Sequence, residues 1–137
     1  MLSISPAIRI FVYALPTDMR KNFDGLYALV QQVFAQDVFQ GDYFVFLNRS
    51  RDRCKILYWD RDGLVVWAKR LERGSFQLPP VSDAASLSVE VDSTTLAMIL
   101  GGVDLHTGKR RQRYHRATSG SDGAATTSKP EIARRSA

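Results

Sequence analysis

The sequence predicts an α+β domain: an antiparallel β-meander sheet packed against one longer N-terminal helix, followed by a short C-terminal helix and a disordered basic tail. Three observations carry this prediction. Apolar residues recur at steps of three and four between Met19 and Phe34. From Asp42 to Leu71, short β-rich runs alternate with turn residues. Beyond Leu105 the apolar periodicity stops, and the chain turns basic and then rich in Ser, Thr, Gly and Ala.

The elements follow in order. Ile8–Val12 is a β-rich run that Pro16 closes, and Thr17–Asp18 offers an N-cap for a helix over 19–34. Phe23, Leu26, Tyr27, Val30, Val33 and Phe34 form its core stripe, and Gly25 marks a close backbone approach. Tyr43–Leu47 reads as a buried strand, Asn48–Asp52 as a polar turn and Arg53–Trp59 as the next strand. A turn at Asp62–Gly63 then returns Leu64–Leu71 antiparallel. Gly74 opens a short strand, Phe76–Leu78, which Pro79 and Pro80 end because proline donates nothing to a ladder. Leu87–Val91 is the last strand, and Asp92 or Ser93 caps a helix over Thr94–Leu100 that Gly101–Gly102 stops. The organisation is one domain, 1–105, and a low-complexity tail, 106–137.

The net charge of +5 is unevenly spread. Residues 1–105 hold 11 basic and 12 acidic groups, and residues 106–137 hold 8 and 2. Within the domain, residues 49–73 carry 8 basic against 4 acidic groups, while 74–105 carry four acids and no base. Such polarity favours a polyanionic partner. No secretory signal pattern or membrane-length apolar run is present, so a cytoplasmic protein without membrane contact is expected.

In the Asp62–Gly63 hairpin, pairing Arg61 with Leu64 sets Lys55 opposite Arg70, with Arg53 on the same face. A pairing with Asp60 opposite Gly63 keeps these side chains on one face. Like charges opposed across strands are unfavourable, so a phosphate between them, or neutralisation by Glu72 or a tail carboxylate, is expected. The tail adds Lys109, Arg110, Arg111, Arg113 and Arg116, with Tyr114 able to stack on a base.

The search for catalytic groups returns little. Asp60 and Asp62 flank a turn, where Asp is common, and the remaining acids form no cluster of the kind that two-metal phosphoryl chemistry uses. Cys54 shares a face with Ile56 and Tyr58 and reads as core; it has no paired cysteine for a disulfide or zinc site. His106 and His115 fall in the tail. The expectation is a protein that is not an enzyme and needs no metal or cofactor.

Several stretches together carry a family resemblance. They are Arg9-Ile10-Phe11-Val12; Thr17-Asp18-Met19-Arg20-Lys21 with Phe23-Asp24-Gly25-Leu26; and Gly41-Asp42-Tyr43-Phe44-Val45-Phe46 before Asn48-Arg49. Lys55-Ile56-Leu57-Tyr58-Trp59-Asp60 and Trp67-Ala68-Lys69-Arg70-Leu71-Glu72-Arg73-Gly74 complete the order. From about Ile8 to Leu105 the chain resembles the TnpB-type accessory proteins, the second-open-reading-frame products of the insertion-sequence family sixty-six transposable elements. These are unrelated to the RNA-guided nuclease that shares the name. The resemblance implies a role in bacterial transposition beside a separate transposase, with no catalytic residues to carry over.

Two functional expectations follow. In the first, a non-catalytic accessory factor binds transposable-element ends through Arg53, Lys55, Arg70 and the tail cluster Lys109–Arg116. In the second, an adaptor binds the transposase or another protein of the element, through an aromatic surface at Trp59 and Trp67 or through Arg20 and Lys21.

Overall fold

Tyr43–Leu47 is apolar at every position because it runs through the middle of a sheet covered on both faces, and all five residues are buried. The computed structural model describes residues 4–80 and 86–102. Its elements are β1 (Ile10–Tyr13), α1 (Phe23–Leu29), β2 (Tyr43–Leu47), β3 (Arg53–Asp60), β4 (Gly63–Arg70), β5 (Ser88–Val91) and α2 (Ser93–Gly101). The strands form one sheet in the order β4-β3-β2-β1-β5. The 103–137 segment, and with it the tail, lies outside the described residues.

The fold is α+β, but the sheet is mixed where a purely antiparallel meander was expected. β2, β3 and β4 do form a meander. β1, however, pairs with β2 in parallel, with Ile10 opposite Tyr43, and antiparallel with β5. The reason lies in the connection: a strand, a helix and a strand in succession form a crossover, and a crossover returns the chain parallel.

Alternation along the strands divides the core in two. Phe11, Phe44, Phe46 and Leu57 face Leu26, Val30 and Phe34 of the helical segment, and Phe34 meets the Phe44 ring edge-on at 5.1 Å. On the other face, Ile10, Val12, Tyr43, Val45, Cys54 and Ile56 pack with Phe76 and with Leu96, Ile99 and Leu100 of α2. Asp92 caps α2 as expected, accepting from the Thr95 N–H at 2.7 Å, and Gly102 ends it at a φ of 84°.

Three local expectations need correction. The first helix begins at Phe23, after an N-cap at Asn22 whose side chain makes no capping bond. Asp18 therefore caps no helix; it accepts from the Arg20 N–H at 2.9 Å in a local turn. In consequence Phe23 sits at the start of α1 with 44% of its surface exposed, outside the core. Beyond Leu29 the helix widens into a π-helical turn, Val30–Phe34, and Ala35 stops it in the left-handed region at φ 51°.

The space beside Gly25 is taken by the Lys21 stem, 3.1 Å from where a Cβ would stand, rather than by the backbone of another element. Residues 76–78 form no strand. Phe76 donates its N–H to the Arg51 carbonyl at 2.6 Å and buries its ring, so the segment packs against the sheet's face instead of joining its edge.

Two outcomes follow from this packing. Phe76→Ala removes a ring that is 1% exposed and is expected to cost about 3–5 kcal/mol, read from urea or thermal unfolding. Cys54 is 1% exposed, and burial pushes its thiol up to about 12. A thiol-specific chromogenic reagent at pH 8 is therefore expected to leave the folded protein unlabelled and to label one thiol per chain after unfolding.

Candidate nucleic-acid interface

The β2–β3 turn satisfies its own polar groups and thereby pushes its arginines outward. Asn48 Nδ2 donates to Asp52 Oδ1 at 2.7 Å, Ser50 Oγ donates to the same oxygen at 2.9 Å, and Asn48 Oδ1 accepts from the Arg53 N–H at 3.0 Å. The Asn48 hydrogen bond, followed by that from Ser50, holds the Asp52 carboxyl below its ordinary range despite partial burial. Asp52 is thus absorbed by the turn. Arg49, Arg51 and Arg53 alternate with these residues and are exposed. Arg51 occupies the left-handed region at φ 57°, where glycine would be less strained.

The hairpin register places Arg70 beside this turn. Asp60 pairs with Gly63, Lys55 with Ala68 and Arg53 with Arg70. The expected pairing of Lys55 with Arg70 is thus displaced by two residues, because the two-residue turn is Arg61–Asp62 and Arg61 takes the positive φ of 54°. Parity is unchanged, so Arg53, Lys55 and Arg70 share one face. Arg70 Nε contacts Glu72 at 3.2 Å, an exposed ion pair of small energetic weight.

Lys55 has a different environment from its neighbours. Its ammonium donates to the main-chain carbonyls of Met19 at 2.9 Å and Lys21 at 2.8 Å. Those carbonyls lie ahead of α1, which begins only after the non-helical Asn22. Between them Arg20 projects, its side chain 91% exposed, and it clamps Asp18 at 2.8 Å. The Arg20 side-chain and backbone bonds draw the Asp18 carboxyl down to about 2. The site therefore joins the Thr17–Lys21 turn to the arginine-bearing end of the sheet.

A cleft of about 240 Å³ opens on the same end, between the C-terminal ends of the parallel pair β1 and β2. Leu15, Pro16 and Leu78 supply apolar walls, and Arg49 and Arg51 line it. These two arginines were missed as site residues from the sequence. The available signal was their alternation with Asn48, Ser50 and Asp52, the polar formers of the turn. Opposite, at the far end of the sheet, the β3–β4 turn carries Asp60 and Asp62 around Arg61.

Trp59 and Trp67 form no common surface. Trp59 lies on the α1 face and meets the Phe39 ring edge-on at 4.9 Å, whereas Trp67, opposite Ile56, packs on the α2 face. Paired positions in this hairpin differ in parity, so two odd-numbered residues on its strands face opposite ways. Lys109, Arg110, Arg111, Arg113 and Arg116 lie outside the described residues. Among the described residues, no three His, Cys, Asp or Glu side chains gather as metal ligands would, and no helix is long and apolar enough to cross a membrane.

Comparison with known proteins locates this architecture. Residues 8–110 match the family described as IS66 Orf2 like protein. An uncharacterised protein of Sinorhizobium fredii, y4jC, is 35% identical over 111 residues, spanning 81% of this chain and 92% of the relative. A second from the same organism, y4hO, is 32% identical over 104 residues, spanning 76% and 88%. No solved structure matches. The matched region contains both the Thr17–Lys21 turn and the β3 segment whose Lys55 holds it, together with the arginine-bearing turn between β2 and β3. The chain belongs to the IS66 Orf2 like protein family, and is a transposition-associated accessory protein.

Proposed function

We propose that this accessory protein acts without catalysing a step itself, and binds the DNA of its element through the arginine-bearing end of the sheet and the basic tail. The observation that carries the reading is the convergence of Arg49, Arg51 and Arg53 on one turn, with Arg70 opposite Arg53. Four guanidinium groups gather on one end, two of them directly opposed, and the exposed Glu72 pair of Arg70 offsets little of their mutual repulsion, which a polyanion would relieve. Lys55 enters this reading as a positioning residue that holds Met19–Lys21 beside them. Lys109, Arg110, Arg111, Arg113 and Arg116 add contacts that are independent of sequence.

A second reading, an adaptor for the transposase, draws on the exposed aromatic group where Phe39, 52% exposed, meets Trp59 and Tyr27. Arg20 and Lys21 are its polar members.

The two readings part in a titration of the full chain against element-end DNA and a scrambled duplex over a range of salt, with and without transposase. Replacing Arg49, Arg51 and Arg53 together with Gln is expected to lower the slope of log affinity against log salt by about 0.9 for each phosphate that is no longer neutralised, with the melting midpoint no lower than that of the wild type. Binding that appears only with transposase, or a slope indifferent to the triple replacement, would transfer the function to the adaptor surface.

Lys55 is expected to behave differently. Lys55→Met strips two carbonyls of their donor and should destabilise the domain by about 1–3 kcal/mol while leaving that salt slope unaltered. A changed slope with unchanged stability would make Lys55 a direct phosphate ligand.

A further inference from the structure

We infer that the outer edge of β4 pairs with the same edge of a second copy, forming a two-fold dimer centred on Val66; this stands apart from the DNA reading. β4 is an eight-residue strand at the border of the sheet, whereas the opposite border strand, β5, has four residues. From Gly63 to Ala68 it carries no proline and no charge, so the devices that usually blunt an exposed edge are missing from most of its length.

The hydrogen-bond alternation fixes which groups face outward. Asp60 and Gly63 flank a two-residue turn, a position where the pair exchanges both backbone bonds. The Leu71 N–H donates to the Asp52 carbonyl at 2.7 Å, continuing the same alternation at the other end. Gly63, Val65, Trp67 and Lys69 therefore bond to β3. Leu64, Val66, Ala68 and Arg70 direct their N–H and C=O groups to the open edge, and among the described residues no backbone bond reaches that edge.

A two-fold axis through the sheet pairs residues of equal parity, and two registers give long overlap. Centring on Trp67 brings Asp62 against the second copy's Glu72, twice, and Arg61 against its Arg73. Centring on Val66 instead sets Leu64 against Ala68, Val65 against Trp67 and Asp62 against Arg70, each twice. Charge selects the Val66 register. Arg70 engages Glu72 through Nε, which leaves its terminal nitrogens to meet the second copy's Asp62. The polarity of the domain, arginines at one end of β4 and Asp60 and Asp62 at the other, is complementary to itself when the strands run antiparallel.

The test is sedimentation equilibrium of the full chain, with thermal melting of every variant to confirm folding. The wild type is expected to dimerise. Asp62→Arg and Arg70→Asp, each alone, are expected to raise the dimer dissociation constant by about tenfold, since each sets like charges against each other at two places. The combined D62R and R70D protein should return to within about threefold of wild type, because the swap restores both pairs. Val66→Pro removes an outward N–H and no bond to β3, and should give a folded monomer. A wild type that stays monomeric at all concentrations, with the edge taken by the tail or by transposase, would overturn the proposal. So would a combined variant no tighter than the single ones.

Discussion

The ammonium of Lys55 ties two parts of the chain that are far apart in sequence, and much of the functional end depends on that tie. Two main-chain carbonyls, of Met19 and Lys21, converge on one charged donor. Hydrogen bonds to a charged group are stronger than neutral ones, and losing the donor leaves oxygens that must find water in a partly buried place. Lys55 bonds these carbonyls in a segment, residues 18–21, that stays outside the helix; Met19 buries its side chain there at 8% exposure, and the first helical residue is Phe23. The Thr17 N–H then reaches the Leu47 carbonyl at 2.8 Å, so the connection leaving β1 is pinned to the end of β2 as well. The crossover that makes β1 and β2 parallel thus has its first turn fastened at two points to the sheet it crosses.

The charge distribution acquires meaning only on this frame. A domain of nearly balanced charge separates its charges along the strand direction: the β2–β3 turn gathers arginines, while the β3–β4 turn gathers aspartates. The turn's single carboxylate, Asp52, is held in place by Asn48 and Ser50 and makes no ion pair with the described arginines, so one negative charge stands among three positive ones. Glu72 meets Arg70 in an exposed pair, and Asp18 meets Arg20 likewise. Exposed pairs are screened by salt and contribute little to stability. What they do is orient guanidinium groups; Arg49, Arg51 and Arg53, like Arg61 and Arg73, make no carboxylate bond among the described residues.

Much of the fold was legible because its signals are local. The continuous apolar run 43–47, the polar turn after it, and the Asp92 cap with Gly102 at the far end of α2 each follow from neighbouring residues alone. Several of the misses depend on contacts outside their own segment. Asp18 has the chemistry of an N-cap, but it closes a local turn that Lys55 holds against the sheet, and the helix starts after Asn22. Gly63 is the residue most suited to a positive φ in the hairpin, yet Arg61 takes it, because the ladder from Arg53 to Asp60 sets the register and the turn conforms. Phe76 resembles a strand residue locally, but a buried site on the α2 face claims its ring. The opposed facing of Trp59 and Trp67 was legible, since either hairpin pairing places them on different sides of the sheet. The candidate site was legible in composition, as a basic run over 49–73, but not in geometry, because the separation of Arg49, Arg51 and Arg53 from Lys55 depends on what Lys55 touches.

The same polarity bears on both a nucleic-acid partner and a second copy, and the two demands are compatible. Antiparallel pairing along β4 places the arginine-bearing turn of each copy at opposite ends of one continuous sheet. At about 3.4 Å per residue along the strand and about 4.8 Å between strands, the Arg53 positions of the two copies fall roughly 30 Å apart, close to one turn of duplex DNA at about 34 Å. Only Arg70 is shared between the edge and the basic end, and its planar guanidinium presents several donors, so a carboxylate at the edge leaves room for others. Arg49 and Arg51, by contrast, line the cleft at the ends of β1 and β2, away from β4. Self-association therefore neutralises the aspartate-bearing turns against the arginine end of the neighbouring edge, and leaves the positive charge concentrated where the two turns project.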